Sequence, residues 1–376
     1  MRSDHHLHFC DSKNMGIVPS QSVHLVVTSP PYPMITMWDD LFCRQHRIDK
    51  AMISHDGTRA FELMHRTLDP VWNEVHRALV PGGIACINIG DATRTLKDTF
   101  VLYPNHTRIS ASMLSLGFTH LPTILWRKQT NAPNKFMGSG MMPPGAYVTL
   151  EHEYILIFRK GDRRLFNTPQ QKTSRRQSAY FWEERNLWFS DVWMDLKGAR
   201  QHTNTGHLRQ RSAAYPFELA YRLISMFSVM GDTVLDPFFG TGTTLFAAAA
   251  SGRNSIGFEL DKAFQSMVRQ GCKPALNQAR SRIHERLDAH RQFIRDRQAA
   301  GNAVKYKNQV YGFPVVTRQE VELMLPLPTG IEEASPGHFR VNYEMPEPGA
   351  DPSSPPVPSV AKKGKTGQLS LFDPYI

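Results

Sequence analysis

Residues 233–259 constrain the fold of this chain more than any other stretch. Thr233-Val234-Leu235 reads as a short buried strand. It runs into Asp236-Pro237-Phe238-Phe239-Gly240-Thr241-Gly242-Thr243-Thr244, and an Ala-rich helix is predicted over 245–251. Ser255-Ile256-Gly257-Phe258 is the next strand, and it ends at Glu259. Strand, Gly-rich turn, helix and strand in that order build an open α/β sheet, whose ligands sit at the C-terminal strand ends. The glycines allow close approach to the backbone, and the helix start presents unpaired amides. The turn is not a P-loop, because Gly-Lys-Ser/Thr is missing, and Leu245 stands in the place of the third glycine of GxGxxG. Glu259 falls where a carboxylate accepts hydrogen bonds from the ribose hydroxyls of an adenosine-type ligand.

A second strand-end bend lies near the start. Val23-His24-Leu25-Val26-Val27 reads as a buried strand leading into Thr28-Ser29-Pro30-Pro31-Tyr32, where two prolines stop both strand and helix. Residues 33–60 read as irregular. Residues 61–79 have helical spacing, 84–89 and 122–126 read as strands, and 107–117 as a helix. The stretch 129–149 reads as a long loop, 153–158 as a strand and 216–228 as an amphipathic helix beginning at Pro216. Residues 275–298 read as a basic helix that packs by its apolar face. The predicted units are 1–161 and 206–274 as two halves of one α/β domain, an insertion at 162–205, a helical or irregular extension at 275–344, and a flexible Pro/Ser-rich tail at 345–376.

Composition narrows the class. The 376 residues carry 44 Lys+Arg against 34 Asp+Glu, a net charge of +10, which favours a polyanionic partner. Hydrophobic residues make up 41 %, enough for a real core. Cys10, Cys43, Cys86 and Cys272 are scattered with no CxxC pair, so neither a disulfide framework nor a metal site is expected. No stretch reaches the roughly 20 apolar residues of a membrane span, and the polar start with His5, His6 and His8 reads as flexible rather than as a signal. A cytoplasmic, nucleoid-associated protein fits these features.

Ser29-Pro30-Pro31-Tyr32 offers the parts for one particular reaction. A main-chain carbonyl freed by proline and the Ser29 hydroxyl both accept from an amine, and the Tyr32 ring stacks on a planar base. An exocyclic amine is a poor nucleophile because its lone pair is delocalised into the ring. Two acceptors that draw its hydrogens out of plane localise that pair, and placement with electrostatics then does the catalysis.

The Thr28-Ser29-Pro30-Pro31-Tyr32 motif, the later Asp236-Pro237-Phe238-Phe239-Gly240-Thr241-Gly242 and their order resemble the amino-methylating DNA methyltransferases of the permuted β-group. Asp11-Ser12, Leu79–Gly83, Asn88-Ile89-Gly90-Asp91, Glu151–Ile155 and Ala214–Leu219 are similar to further family segments. The resemblance implies a Rossmann-like, mostly parallel methyltransferase sheet with an inserted recognition region and a helical C-terminal extension. It implies S-adenosyl-L-methionine as cofactor, held by Asp11, Thr28, Pro216, Asp236, Pro237, Phe238, Gly240, Gly242, Thr243 and Glu259. Catalysis falls to Ser29, Pro30, Pro31 and Tyr32, and the substrate is double-stranded DNA with its target base flipped out. A serine at the first motif position implies N4 of cytosine. N6 of adenine stays open, as does a DNA-binding protein that keeps the fold without catalysis. No cysteine follows a proline, which argues against C5 methylation, and protein glutamine methylation uses the reverse motif order. The family's recognition region corresponds to 162–205, where Arg163, Arg164, Arg175 and Arg176 are the expected DNA contacts. Near the end, Gln368-Leu369-Ser370-Leu371-Phe372 resembles the peptide by which bacterial repair and replication proteins dock on the sliding clamp, so Gln368, Leu369, Leu371 and Phe372 are expected to bind it. Assembly state is left open, a homodimer included.

Overall fold

The computed structural model describes residues 1–128, 138–198 and 215–346. The chain begins with strands β1 (Arg2–His8) and β2 (Val23–Thr28), short helices α1 (Asp39–Phe42) and α2 (His46–Ile53), and the long helix α3 (Gly57–Ala78). Strand β3 (Leu79–Ile89), a hairpin of β4 (Ala92–Leu96) and β5 (Thr99–Tyr103), helix α4 (Asn105–Ser115) and strands β6 (Phe118–Arg127) and β7 (His152–Lys160) follow. The insertion contributes α5 (Pro169–Gln177), α6 (Trp182–Trp188) and β8 (Val192–Trp193). Next come α7 (Phe217–Phe227), β9 (Thr233–Asp236), α8 (Thr243–Ala250), β10 (Asn254–Phe258) and α9 (Phe264–Ala299). A small pair, β11 (Tyr306–Lys307) and β12 (Pro314–Val315), precedes the closing hairpin β13 (Leu327–Ser335) and β14 (His338–Glu344).

Ten strands form one sheet in the order β13–β14–β1–β10–β9–β2–β3–β7–β6–β8. Its centre, β1–β10–β9–β2–β3, is parallel throughout. Antiparallel β7 and the terminal hairpin flank that block. Period-2 alternation sends the core to both faces. Val26, Ala85 and Ile87 pack with Met64, Leu68, Val71 and Trp72 of α3, whereas Leu25, Val27 and Cys86 pack with Leu219, Leu223 and Ala247 of α7 and α8. Helix α3 starts where Asp56 caps the Arg59 amide at 3.0 Å.

The join between β2 and β9 matters most for the site. Leu25 pairs with Val234 and Val26 with Leu235, so strands more than 200 residues apart lie side by side. The chain order reverses at this join, which makes it the switch point where an open sheet offers a crevice.

Several expectations are corrected. The polar N-terminus is not a flexible lead: β1 is an interior strand of the sheet. His5 is buried between the Ser3 and Ser255 hydroxyls, both at 2.8 Å, and burial pushes its pKa down to about 3, so it enters the core neutral. Residues 33–60 are largely helical. The segment after 300 is not merely helical or irregular, because 327–344 adds two strands to the sheet. In the insertion Trp188 and Trp193 are buried, and Phe181 packs with Ile283, Leu287 and Tyr311 beside α9. Helix α9 buries Ile283, Leu287 and Ile294 as expected, but Arg286 is buried with them and clamps Glu184 with two hydrogen bonds of 2.6 and 2.7 Å, while Arg282 holds Glu218 at 2.7 and 2.8 Å. Among the described residues no helix is long and apolar enough to cross a membrane. Residues 368–372 lie outside the described residues, as do 199–205 of the insertion and 129–137 of the loop.

Candidate active site

The ends of β2 and β9 are tied together by one buried carboxylate. Asp236 Oδ1 accepts from the Thr28 hydroxyl at 2.6 Å and from the Phe238 amide at 3.1 Å. Its Oδ2 accepts from the Thr244 hydroxyl at 2.5 Å and the Tyr215 hydroxyl at 3.2 Å. Burial raises the Asp236 pKa above the usual carboxylate range, although the hydrogen bonds from Thr244 and Thr28 pull the other way. Strand β2, the end of β9 with its bend, helix α8 and Tyr215, two residues before α7, therefore share one polar knot.

The bend itself is shaped by Phe239. Its ring lies over Gly257 of β10, where an added Cβ would stand 2.0 Å from Cδ2, and beside Gly242, whose φ of +91° starts α8. Gly257→Ala is expected to push the ring out and cost about 1–3 kcal/mol, the usual effect of overpacking. A chemical-denaturation midpoint at the parent value would contradict this packing.

Glu259 faces the bend from the end of β10. The Gly240 amide donates to its Oε2 at 2.9 Å and the Asp261 amide to its Oε1 at 2.9 Å. Burial pushes the Glu259 pKa up, against the pull of those amides.

Between the two bends opens a cavity of about 500 Å³. Asp11, Ser29, Pro31, Pro237, Phe238, Gly240 and Glu259 all line it, so residues from both ends of the chain share one rim. Met37, Trp38, Leu41 and Phe42 form another part of its wall. These come from the segment expected to be irregular, and no sequence signal marked them. Other expected residues are set back. Thr28, Pro30 and Asp236 are buried behind the rim, Gly242 and Thr243 begin α8, and Pro216 caps α7.

Tyr32 departs from its expected role. It is 8 % exposed and its ring edge packs against Gly90, so in this conformation it offers no open face to a base. Its hydroxyl accepts from Ser29 Oγ at 3.1 Å and Asn88 Nδ2 at 2.9 Å, and donates to Glu153 Oε2 at 3.0 Å. Asn88 Nδ2 also donates to Glu153 Oε2 at 2.7 Å, and Lys128 Nζ to Oε1 at 2.9 Å. Asn88 and Glu153 stand in family-like segments, but the sequence assigns neither a role.

The expected DNA-contacting arginines are not brought to this rim. Arg164 pairs through both terminal nitrogens with Asp232, at 2.6 and 2.9 Å, just before β9 begins. Its backbone also crowds Gly82, near the start of β3. That is the N-terminal edge of the parallel strands, opposite Ser29. Arg175 stacks on Phe166, as Arg164 does, and Arg176 pairs with Glu322 at 2.8 Å. Arg163 is exposed on the same loop.

A family model described as DNA methylase, of the N6/N4 type, matches residues 23–270. The type II methyltransferase M.MthZI of Methanothermobacter thermautotrophicus is 50 % identical over 346 residues, covering 92 % of this chain and 96 % of that protein. The type II methyltransferase M.MjaI of Methanocaldococcus jannaschii is 49 % identical over 280 residues, or 71 % of this chain and 91 % of that protein. Among solved structures, a putative DNA modification methylase of Thermus thermophilus, in complex with S-adenosyl-L-methionine, is similar with a TM-score of 0.53 and 34 % identity. That match covers 71 % of this chain and 92 % of the other.

Proposed function

The chain belongs to the N6/N4 DNA methylase family, and from that premise we propose that it transfers methyl from S-adenosyl-L-methionine to N4 of a cytosine flipped out of duplex DNA at a specific site. The observation that carries this reading is Ser29, on the wall of the cavity that also holds Gly240 and Glu259. Bound there, the cofactor supplies an electrophilic methyl on a positively charged sulfur. The residues suit such a ligand: the Glu259 carboxylate accepts from ribose hydroxyls, and Phe238 and Phe264 give apolar surface beside it. Ser29 accepts from the target amine and holds it facing the methyl, while the polar knot around Asp236 keeps the two bends at a fixed distance.

Glu259→Ala is expected to weaken cofactor binding by about 30-fold, or ~2 kcal/mol, for the loss of charge-assisted hydrogen bonds. Acid acts through the same group. The ionised carboxylate is the better acceptor and burial raises its pKa, so affinity is full above that value and falls as pH drops through it, at a higher pH than an unperturbed glutamate would give. Calorimetric titration across pH tests both points, and an affinity that does not fall on acidification would count against Glu259.

The choice of base is tested by methylating DNA, digesting it to nucleosides and identifying the product by mass. N4-methylcytosine is expected. N6-methyladenine would move the reading to the other amine, and transfer to neither would end it.

A further inference from the structure

The hydrogen bonds behind Ser29 have one direction. Ser29 Oγ lies on the cavity wall and donates inward to the Tyr32 hydroxyl, which donates onward to Glu153 Oε2. Asn88 fixes that polarity. Its amide nitrogen only donates, and it occupies acceptor positions on both the Tyr32 oxygen and Glu153 Oε2. The Tyr32 proton is thereby directed at the carboxylate. Ser29 keeps its lone pairs for a donor arriving from the cavity. Gly90 packs against both Tyr32 and Glu153, where a Cβ would stand 3.1 and 3.3 Å from them, and holds the two side chains in register. Lys128 closes the chain on the outer carboxylate oxygen and is 44 % exposed, so the far end reaches water.

We propose that Ser29, Tyr32 and Glu153 form a proton-transfer chain that removes the proton released when the target amine is methylated, with Glu153 as its terminal acceptor. The inference rests on the amine-methylation reading and holds for either base. The amine lone pair forms the N–CH3 bond as the S–CH3 bond breaks, and that electron pair stays on sulfur. The nitrogen, now cationic, gives its N–H proton to Ser29 Oγ. Ser29 passes its own proton to the Tyr32 oxygen, and Tyr32 passes its own to Glu153, which becomes a neutral acid and later loses that proton to water beside Lys128. The three transfers are concerted, because burial, followed by the neighbouring Glu153 charge, keeps the Tyr32 phenol from existing as a free phenolate. Glu153 is a positioning and proton-accepting residue, and it does not touch the base.

The test is Glu153→Gln in the full chain, which keeps the side-chain size and an acceptor for Tyr32 but cannot take the proton. With cofactor and DNA prebound, single-turnover methyl transfer is expected to fall by about 100-fold or more. Cofactor affinity, DNA affinity and target extrusion, read from a fluorescent base analogue at the target step, are expected to stay within about 2-fold of the parent. Transfer at the parent rate overturns the proposal. So does a slow variant whose binding or extrusion is lost to the same degree, because that outcome assigns Glu153 a structural role. Tyr32→Phe, which keeps the packed ring, carries the same expectations should E153Q not fold. A parent protein that places no methyl on an exocyclic amine defeats the function reading itself. Parent activity with an unimpaired E153Q defeats only the proton chain.

Discussion

A Ser29→Ala protein is expected to transfer methyl roughly 100- to 1000-fold more slowly than the parent, the usual cost of deleting one preorganised hydrogen-bonding group at a reacting centre. Ser29 lines the cavity, follows the buried Thr28 and is held on its inner side by the Tyr32 hydroxyl, so its free lone pairs face the space where an amine must sit. Removing the oxygen takes away the acceptor that localises the amine's lone pair. Little else changes, because Ser29 is only partly buried and the Asp236 knot does not include it. Cofactor affinity and thermal stability should therefore stay near the parent values while the single-turnover rate collapses. A Ser29→Ala rate within a few fold of the parent would remove Ser29 from the chemistry.

The second large effect is on the fold itself. Asp236→Ala leaves the buried Thr28, Thr244 and Tyr215 hydroxyls and the partly buried Phe238 amide without their shared acceptor. Each unsatisfied donor costs about 1–3 kcal/mol, although Thr244 and Tyr215, 2.5 Å apart, still pair with each other. The sum is several kcal/mol against a typical total of about 5–15 kcal/mol. Urea unfolding should show a large drop in midpoint, and the variant should lose cofactor binding because the two bends are no longer latched. Asp236→Asn, which keeps an acceptor oxygen, should be milder. An alanine variant with the parent's midpoint would mean that the knot contributes little to holding the site.

Much of this arrangement was legible in the sequence because its signals are local. A Gly-rich bend after a short strand, a carboxylate at the next strand's end and a Pro-Pro break after another strand each state their geometry within a short stretch of chain. Their meeting across the β2–β9 join followed from the rule that open sheets bind ligands at C-terminal strand ends. What escaped was carried by tertiary context. Asp236 looked like a ligand for the cofactor, yet its oxygens are taken up by four protein donors behind the rim. Strand β1 looked like a polar lead because a buried neutral histidine, satisfied by Ser3 and Ser255, reads as hydrophilic. Residues 33–60 lack clear periodicity because their helices are short and pack partly against a cavity rather than a continuous core. Asn88 and Glu153 sat in plain view, but the Tyr32–Glu153 bond spans 121 residues and has no linear signature. Clustered charge in the insertion does not reveal which carboxylates pair with it, here Asp232 with Arg164 and Glu322 with Arg176.

The most direct measurement is a crystal structure with S-adenosylhomocysteine, the demethylated product, soaked or grown in. The ribose should lie on Glu259 against the Gly240 bend, with the thioether sulfur turned toward Ser29, close enough that a methyl and an amine fit between them. A ligand bound anywhere else, or one in the cavity with its sulfur pointing away from Ser29, would contradict the account.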